Sequence, residues 1–245
     1  MRSPPPAKRL SLRVQPGTVV SALYRKAPNA SALLVLAHGA GAGMFHPFME
    51  AMADLLAGSG VSTLRFQFPY MEAGARRPDR PATAHAAVRA AVERAAKLAP
   101  ALPLFASGKS FGGRMVSQAQ AVEPLPHVRG LVFLGFPLHP PVKPPHKPSL
   151  ERAAHLRDVH VPQLFIQGTR DALAEAGRLR RVVKRLGKRA RLWPVTGADH
   201  SFGVLVRSGR THEEVLREMA GVVAAWIKGG KLGEATMRRP RRADA

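Results

Sequence analysis

The stretch Pro103-Leu-Phe-Ala-Ser-Gly-Lys-Ser-Phe-Gly-Gly113 decides the fold. It reads as a buried strand, a sharp turn and the start of a helix, and Gly108-Lys-Ser-Phe-Gly112 matches the pattern G-x-S-x-G. In that pattern the serine occupies a strained turn between strand and helix, so its hydroxyl stands exposed above a sheet. Glycines flank it because the two backbones approach too closely for a Cβ. The helix that follows leaves its first N–H groups unpaired and turned toward the serine, which favours negative charge there. Ser110 is therefore a candidate nucleophile, and its alternative is an ordinary serine at an elbow without chemistry. The run Gly108-Lys109-Ser110 also echoes the end of a phosphate-binding loop. That motif needs glycine five positions before Gly108, where Pro103 stands.

A serine hydroxyl needs a base to take its proton and a third group to orient that base. At such an elbow an acid and then a histidine follow in chain order. Val161-Pro-Gln-Leu-Phe-Ile-Gln-Gly-Thr-Arg-Asp171 is an apolar strand running into a turn that ends on Asp171. Arg191-Leu-Trp-Pro-Val-Thr-Gly-Ala-Asp-His200 is a further strand whose loop ends on His200. All three candidates, Ser110, Asp171 and His200, sit at the carboxyl ends of expected strands, the edge of a parallel sheet where ligand sites form. Asp171 reads alternatively as a cap for the helix that starts after it, and His200 as a loop residue pairing with Asp199. Asp199 itself reads as a structural neighbour. Two N–H donors would bind an oxyanion: that of Phe111, directly after the nucleophile, and that of Ala40. Ala40 lies in the glycine-rich loop closing Ser31-Ala-Leu-Leu-Val-Leu-Ala-His-Gly-Ala-Gly-Ala-Gly43, where His38 reads as a brace and Gly39 and Gly41 as loop glycines.

His38-Gly-Ala-Gly41, Gly108-Lys-Ser-Phe-Gly112, Gly168-Thr-Arg-Asp171 and Asp199-His200 together resemble the α/β-hydrolase superfamily. More narrowly, residues 38–43, 108–114 and Phe136-Pro-Leu-His-Pro140 are similar to the dienelactone-hydrolase-like predicted hydrolases. Those are related to testis-expressed and histone-acetyltransferase (NSL) complex subunit proteins. The likeness covers residues 15 to 228, roughly. It implies a serine hydrolase fold, while some relatives are chromatin-complex subunits with no established hydrolytic role. Dienelactone hydrolases proper carry cysteine as nucleophile, and this chain has no cysteine.

Around these motifs, residues 8–15 and 19–26 alternate polar and apolar about Pro16-Gly17-Thr18, an antiparallel hairpin. Strands at 32–37, 61–68 and 128–136 and helices near 46–58, 82–98 and 210–228 complete a strand–helix alternation. The fold expected is α/β: a mostly parallel central sheet with an N-terminal antiparallel hairpin, helices on both faces and no large cap. The domain should span 1–228, with 229–245 a basic disordered tail. Residues 137–148 hold too many prolines for helix or central strand.

With 245 residues and 45% apolar side chains, one sizeable core is available. No apolar run reaches the ~20 residues of a membrane span, and no apolar region follows the basic N-terminus, so a cytoplasmic setting is the expectation. The net charge is +22, from 38 Lys and Arg against 16 Asp and Glu. The densest basic run, Arg178 to Arg191, falls on an expected helix and lacks interleaved aromatics, which argues against specific nucleic-acid readout. Weak, salt-sensitive polyanion binding is the functional reading of that charge, and a solvated helix face is the plain one. His139, His146, His155 and His160 lack metal-ligand spacing, so no metal is expected. Arg114 could hold an anionic group or bridge to the sheet edge, and Phe66, Phe68, Tyr70 and Met71 could line a pocket or pack the core. The function expected is cleavage of a small-molecule ester or thioester through an acyl-enzyme, with no cofactor. The alternative is a non-catalytic interaction module with a basic surface.

Overall fold

The computed structural model describes residues 6–140 and 150–229. Its centre is an eight-stranded sheet built from β1 (Lys8–Gln15), β2 (Thr18–Arg25), β3 (Ala32–Ala37), β4 (Val61–Phe66), β5 (Leu104–Lys109), β6 (Val128–Leu134), β7 (Gln163–Gly168) and β8 (Ala190–Val195). The spatial order is β1-β2-β4-β3-β5-β6-β7-β8. The β1–β2 hairpin turns at Pro16-Gly17 and β2 pairs antiparallel to β4; every other pairing is parallel. This is the α/β-hydrolase fold expected from the motifs.

The interior strands β3, β4 and β7, covered on both faces, are buried at every residue; β3 is a continuous apolar run, whereas β4 carries Ser62, Thr63 and Arg65 into the interior. Their side chains alternate between two cores. Leu33, Val35, Phe133 and Phe165 face α3 (Pro81–Leu98), α4 (Phe111–Val122) and α5 (Ala176–Leu186). Leu34, Leu36, Val132 and Ile166 face α1 (Pro47–Gly58) and α6 (His212–Ile227). A short helix, α2 (Pro69–Glu72), follows β4, and between β6 and β7 the described residues hold a 3-10 helix, Glu151–Asp158.

Two strands end earlier than their apolar patterns suggest. β4 stops at Phe66 because the Phe68 N–H donates to His38 Nε2 rather than to a neighbouring strand. β6 stops at Leu134 because Gly135 turns at φ +72° and the Phe136 N–H donates to Gln167 Oε1. The proline-rich segment lies outside the described residues from Pro141 to Ser149, and so does the expected tail from residue 230 onward. No helix among the described residues is long and apolar enough to cross a membrane.

Candidate active site

The site grows from the crossing of β5 and α4. A Cβ on Gly108 would lie 2.3 Å from the Gly112 carbonyl carbon and the Gly113 nitrogen. One on Gly112 would lie 2.6 Å from the carbonyl oxygens of Ala37 and His38. Helix backbone thus presses directly on strand backbone, and only glycine permits it. Between them Ser110 adopts φ +50°, ψ −110° and acts as the N-cap of α4 without a side-chain capping bond. Its hydroxyl is free for another partner.

That partner is His200. Its Nε2 lies 2.9 Å from Ser110 Oγ, and its Nδ1 lies 2.7 Å from Asp171 Oδ2. An ionised carboxylate only accepts, so the ring proton sits on Nδ1 and Nε2 is left as acceptor for the serine hydroxyl. The Asp171 side chain is fully enclosed, whereas that of His200 keeps 24% exposure. Asp171 Oδ2 also accepts from Gln167 Nε2 at 2.5 Å, and Oδ1 accepts from the Leu173 N–H at 2.8 Å. Asp171 therefore both closes the turn after β7 and holds the imidazole; it does not cap a helix, since α5 begins only at Ala176 with Glu175 at its N-cap.

The His200 loop is seated by a third close approach. A Cβ on Gly168 would lie 2.4 Å from Ala198 O, so the loop leaving β8 packs on the end of β7. Asp199 Oδ1 accepts from the N–H groups of Ser201 and Gly203, which makes Asp199 the loop's own brace. Lys109 Nζ donates to the His200 carbonyl at 2.6 Å. Phe202, at φ +64°, stacks on Phe48 of α1 with ring centres 5.8 Å apart.

The loop after β3 forms the opposite wall. His38 is buried, and because the Phe68 N–H donates to its Nε2 at 3.0 Å, its proton is on Nδ1, which donates to Gly39 O at 2.8 Å. Burial pushes this imidazole down to about 4, so it stays neutral and braces rather than titrates. Fixing the Gly39 carbonyl fixes the planar trans peptide it shares with Ala40, and with it the direction of the Ala40 N–H. Tyr70 Oη adds a bond to Ala40 O at 2.7 Å, and burial pushes its phenol up. Phe111 packs edge-on against Phe68 and Tyr70. Gly39 has ordinary contacts, and Gly41 has open space around it and no positive φ, so sterics do not require glycine there.

Phe66 and Phe68 are wholly core residues. Arg114 pairs with no acid among the described residues; burial, and then the neighbouring Arg152, lower its pKa. His155 Nε2 meets Ser117 Oγ at 2.8 Å and His160 Nδ1 accepts from Arg189 at 3.2 Å, while His146 lies outside the described residues. Among the described residues no group of three or more His, Asp or Glu side chains is placed to hold a metal ion. Sequence reasoning missed Gln167, Tyr70 as a brace, and Lys109. Gln167 had no signal, since its bond to Asp171 depends on a turn whose path the sequence does not dictate.

Residues 30–228 match the family described as an alpha/beta hydrolase domain. Among solved structures, a dienelactone hydrolase from Anabaena variabilis superposes with a TM-score of 0.73 at 19% identity, covering 94% of this chain and 99% of that one. A serine hydrolase without lid from Xanthomonas campestris gives 0.68 at 17%, covering 94% and 98%. An esterase domain from Rhodothermus marinus gives 0.67 at 16%, covering 91% and 98%. At these identities the likeness concerns the fold.

Proposed function

The chain belongs to the alpha/beta hydrolase domain family, and from that premise we propose that it is a serine hydrolase of small esters or thioesters. The observation that carries this reading is the unbroken hydrogen-bonded line Asp171–His200–Ser110, at 2.7 and 2.9 Å, on a glycine-flanked elbow. Ser110 attacks the acyl carbonyl while His200 Nε2 takes its proton; Asp171 holds the ring and supports the imidazolium that forms. The N–H groups of Phe111 and Ala40 receive the oxyanion, a contribution of about 3 kcal/mol per donor. His200 then gives its proton to the leaving group, and water cleaves the acyl-enzyme by the same steps in reverse. None of these steps calls on a cofactor. The narrower kinship to dienelactone-hydrolase-like, testis-expressed and chromatin-complex subunit proteins is part of this proposal, resting on residues 38–43, 108–114 and 136–140. So is a cytoplasmic setting.

A module that works only through its basic surface has no need for the histidine to reach the serine; the 2.9 Å separation favours the enzyme. Labelling of purified protein with a fluorophosphonate tests this without knowledge of the substrate. Wild type should be labelled on Ser110, and Ser110→Ala and His200→Ala should not react. Folded wild-type protein that stays unlabelled would overturn the enzyme reading and direct attention to partners of the basic surface.

A further inference from the structure

Lys109 is the one residue between the elbow glycine and the nucleophile, and the acyl-transfer steps above leave it unused. It ends β5, and its chain runs to the far side of the sheet from α4, toward α1 and the His200 loop. There its ammonium lies 6.0 Å from the Phe48 ring centre and 5.2 Å from that of Phe202, and donates to the His200 carbonyl at 2.6 Å. The ammonium and the imidazole are also close to one another. A single point beside Gly135, where a Cβ would stand, is 3.2 Å from Lys109 Nζ and 3.7 Å from His200 Cε1. The two groups are therefore at most about 7 Å apart, so the side chain that ties the loop lies beside the ring it positions.

Enclosing an ammonium beside a pair of stacked aromatic rings is expensive unless its interactions offset the lost hydration. Burial pushes Lys109 down to about 8, and Asp171 and Asp199 oppose that shift. An apolar side chain of equal length would fill the same space without the cost, so the function of the charge has to lie in what it touches.

We propose that Lys109 is a positioning residue for His200, tying the histidine loop to the nucleophile's own strand through the bond from its ammonium to the His200 carbonyl. The proposal rests on the serine-hydrolase reading.

The absence of cysteine from the chain permits a direct test. Lys109→Cys supplies a single thiol, which can be alkylated in the unfolded protein before refolding. Bromoethylamine rebuilds a cation of the same length, bromoethanol a neutral donor, and bromopropane an apolar chain. For each product, the rate of fluorophosphonate labelling and the kcat and KM for p-nitrophenyl acetate are measured against pH, with circular dichroism as a check on folding. The aminoethyl product should reproduce the wild-type profile. The hydroxyethyl product, which keeps a donor for the His200 carbonyl, should keep its plateau rate. The propyl product, which keeps the length but not the donor, should lose kcat by about ten- to a hundredfold, with KM little changed. Lys109→Met, folded in the cell, should match the propyl product. Reactive wild type together with wild-type behaviour of Lys109→Met, or identical profiles for all three products, overturns the role of Lys109 and leaves the hydrolase reading intact. Unreactive wild type overturns the hydrolase reading and this proposal with it.

Discussion

Two helices of similar length, α4 and α5, link successive strands on the same face of the sheet, and they are held there in different ways. α4 meets β3 and β5 through the bare backbones of Gly112 and Gly113 and buries most of its residues. α5 rests on Leu179, Val182 and Leu186, one apolar stripe at helical spacing, and turns Arg180, Arg181, Lys184 and Arg185 to solvent. Close backbone contact fixes where α4 begins to within a fraction of an ångström, which is what a reacting hydroxyl at its first turn demands. A stripe of side chains holds α5 loosely enough that its outer face is free to carry charge. The density of charge and the density of constraint lie on different helices.

Substitutions at the start of α4 should separate its chemistry from its packing. Ser110→Ala removes no packed atom but the hydroxyl, so ester hydrolysis should fall by on the order of 10⁴-fold or more while thermal stability is kept. Comparable turnover by the alanine variant in a p-nitrophenyl ester assay would mean that the elbow is not where reaction occurs. Gly112→Ala drives a methyl group against two carbonyl oxygens and should cost about 3 kcal/mol or more, read as a drop in denaturant midpoint. An unshifted midpoint would show that α4 can slide, and the contrast with α5 would fail.

Acid should act next. An unfolded chain protonates His38 near its ordinary value, 6.5, while the folded protein does not do so until about 4. Folding stability is therefore complete above the first value and falls as the pH drops through that window, by about 3 kcal/mol for this one side chain. His38→Gln should flatten the dependence measured by urea denaturation at a series of pH values; an unchanged slope would assign acid sensitivity to other groups. The smallest effect belongs to α5. Neutralising Arg180, Arg181, Lys184 and Arg185 to Gln should alter stability by less than about 0.5 kcal/mol. Weak binding of wild type to a labelled oligonucleotide should disappear between about 50 and 200 mM salt. Retention at high salt would give the basic face a specific role that its composition does not suggest.

The sheet was legible because fully buried parallel strands are continuous apolar runs, and those ending at Ala37, Lys109 and Gly168 stand out in the chain. The Ser110 and Asp171 positions were legible because each lies just past such a run, and His200 because it ends the loop that leaves the partly exposed edge strand β8. The placement of β4 between β2 and β3 was not, since it depends on pairing between segments far apart in sequence. The same holds for the braces. His38 could be read as structural, but its partner, the Phe68 N–H, exists only because β4 peels away from its neighbour two residues early. Lys109 looked like an unconstrained position in its motif, because nothing local reveals that a carbonyl from a loop some ninety residues later closes over it.

Ser110 carries one more consequence. At φ +50° it holds a backbone shape that a side chain tolerates only at a cost of about 1–3 kcal/mol and that glycine adopts freely. Replacing this residue by glycine should give a protein that melts later and does nothing. The elbow thus trades backbone ease for the placement of a hydroxyl above the sheet.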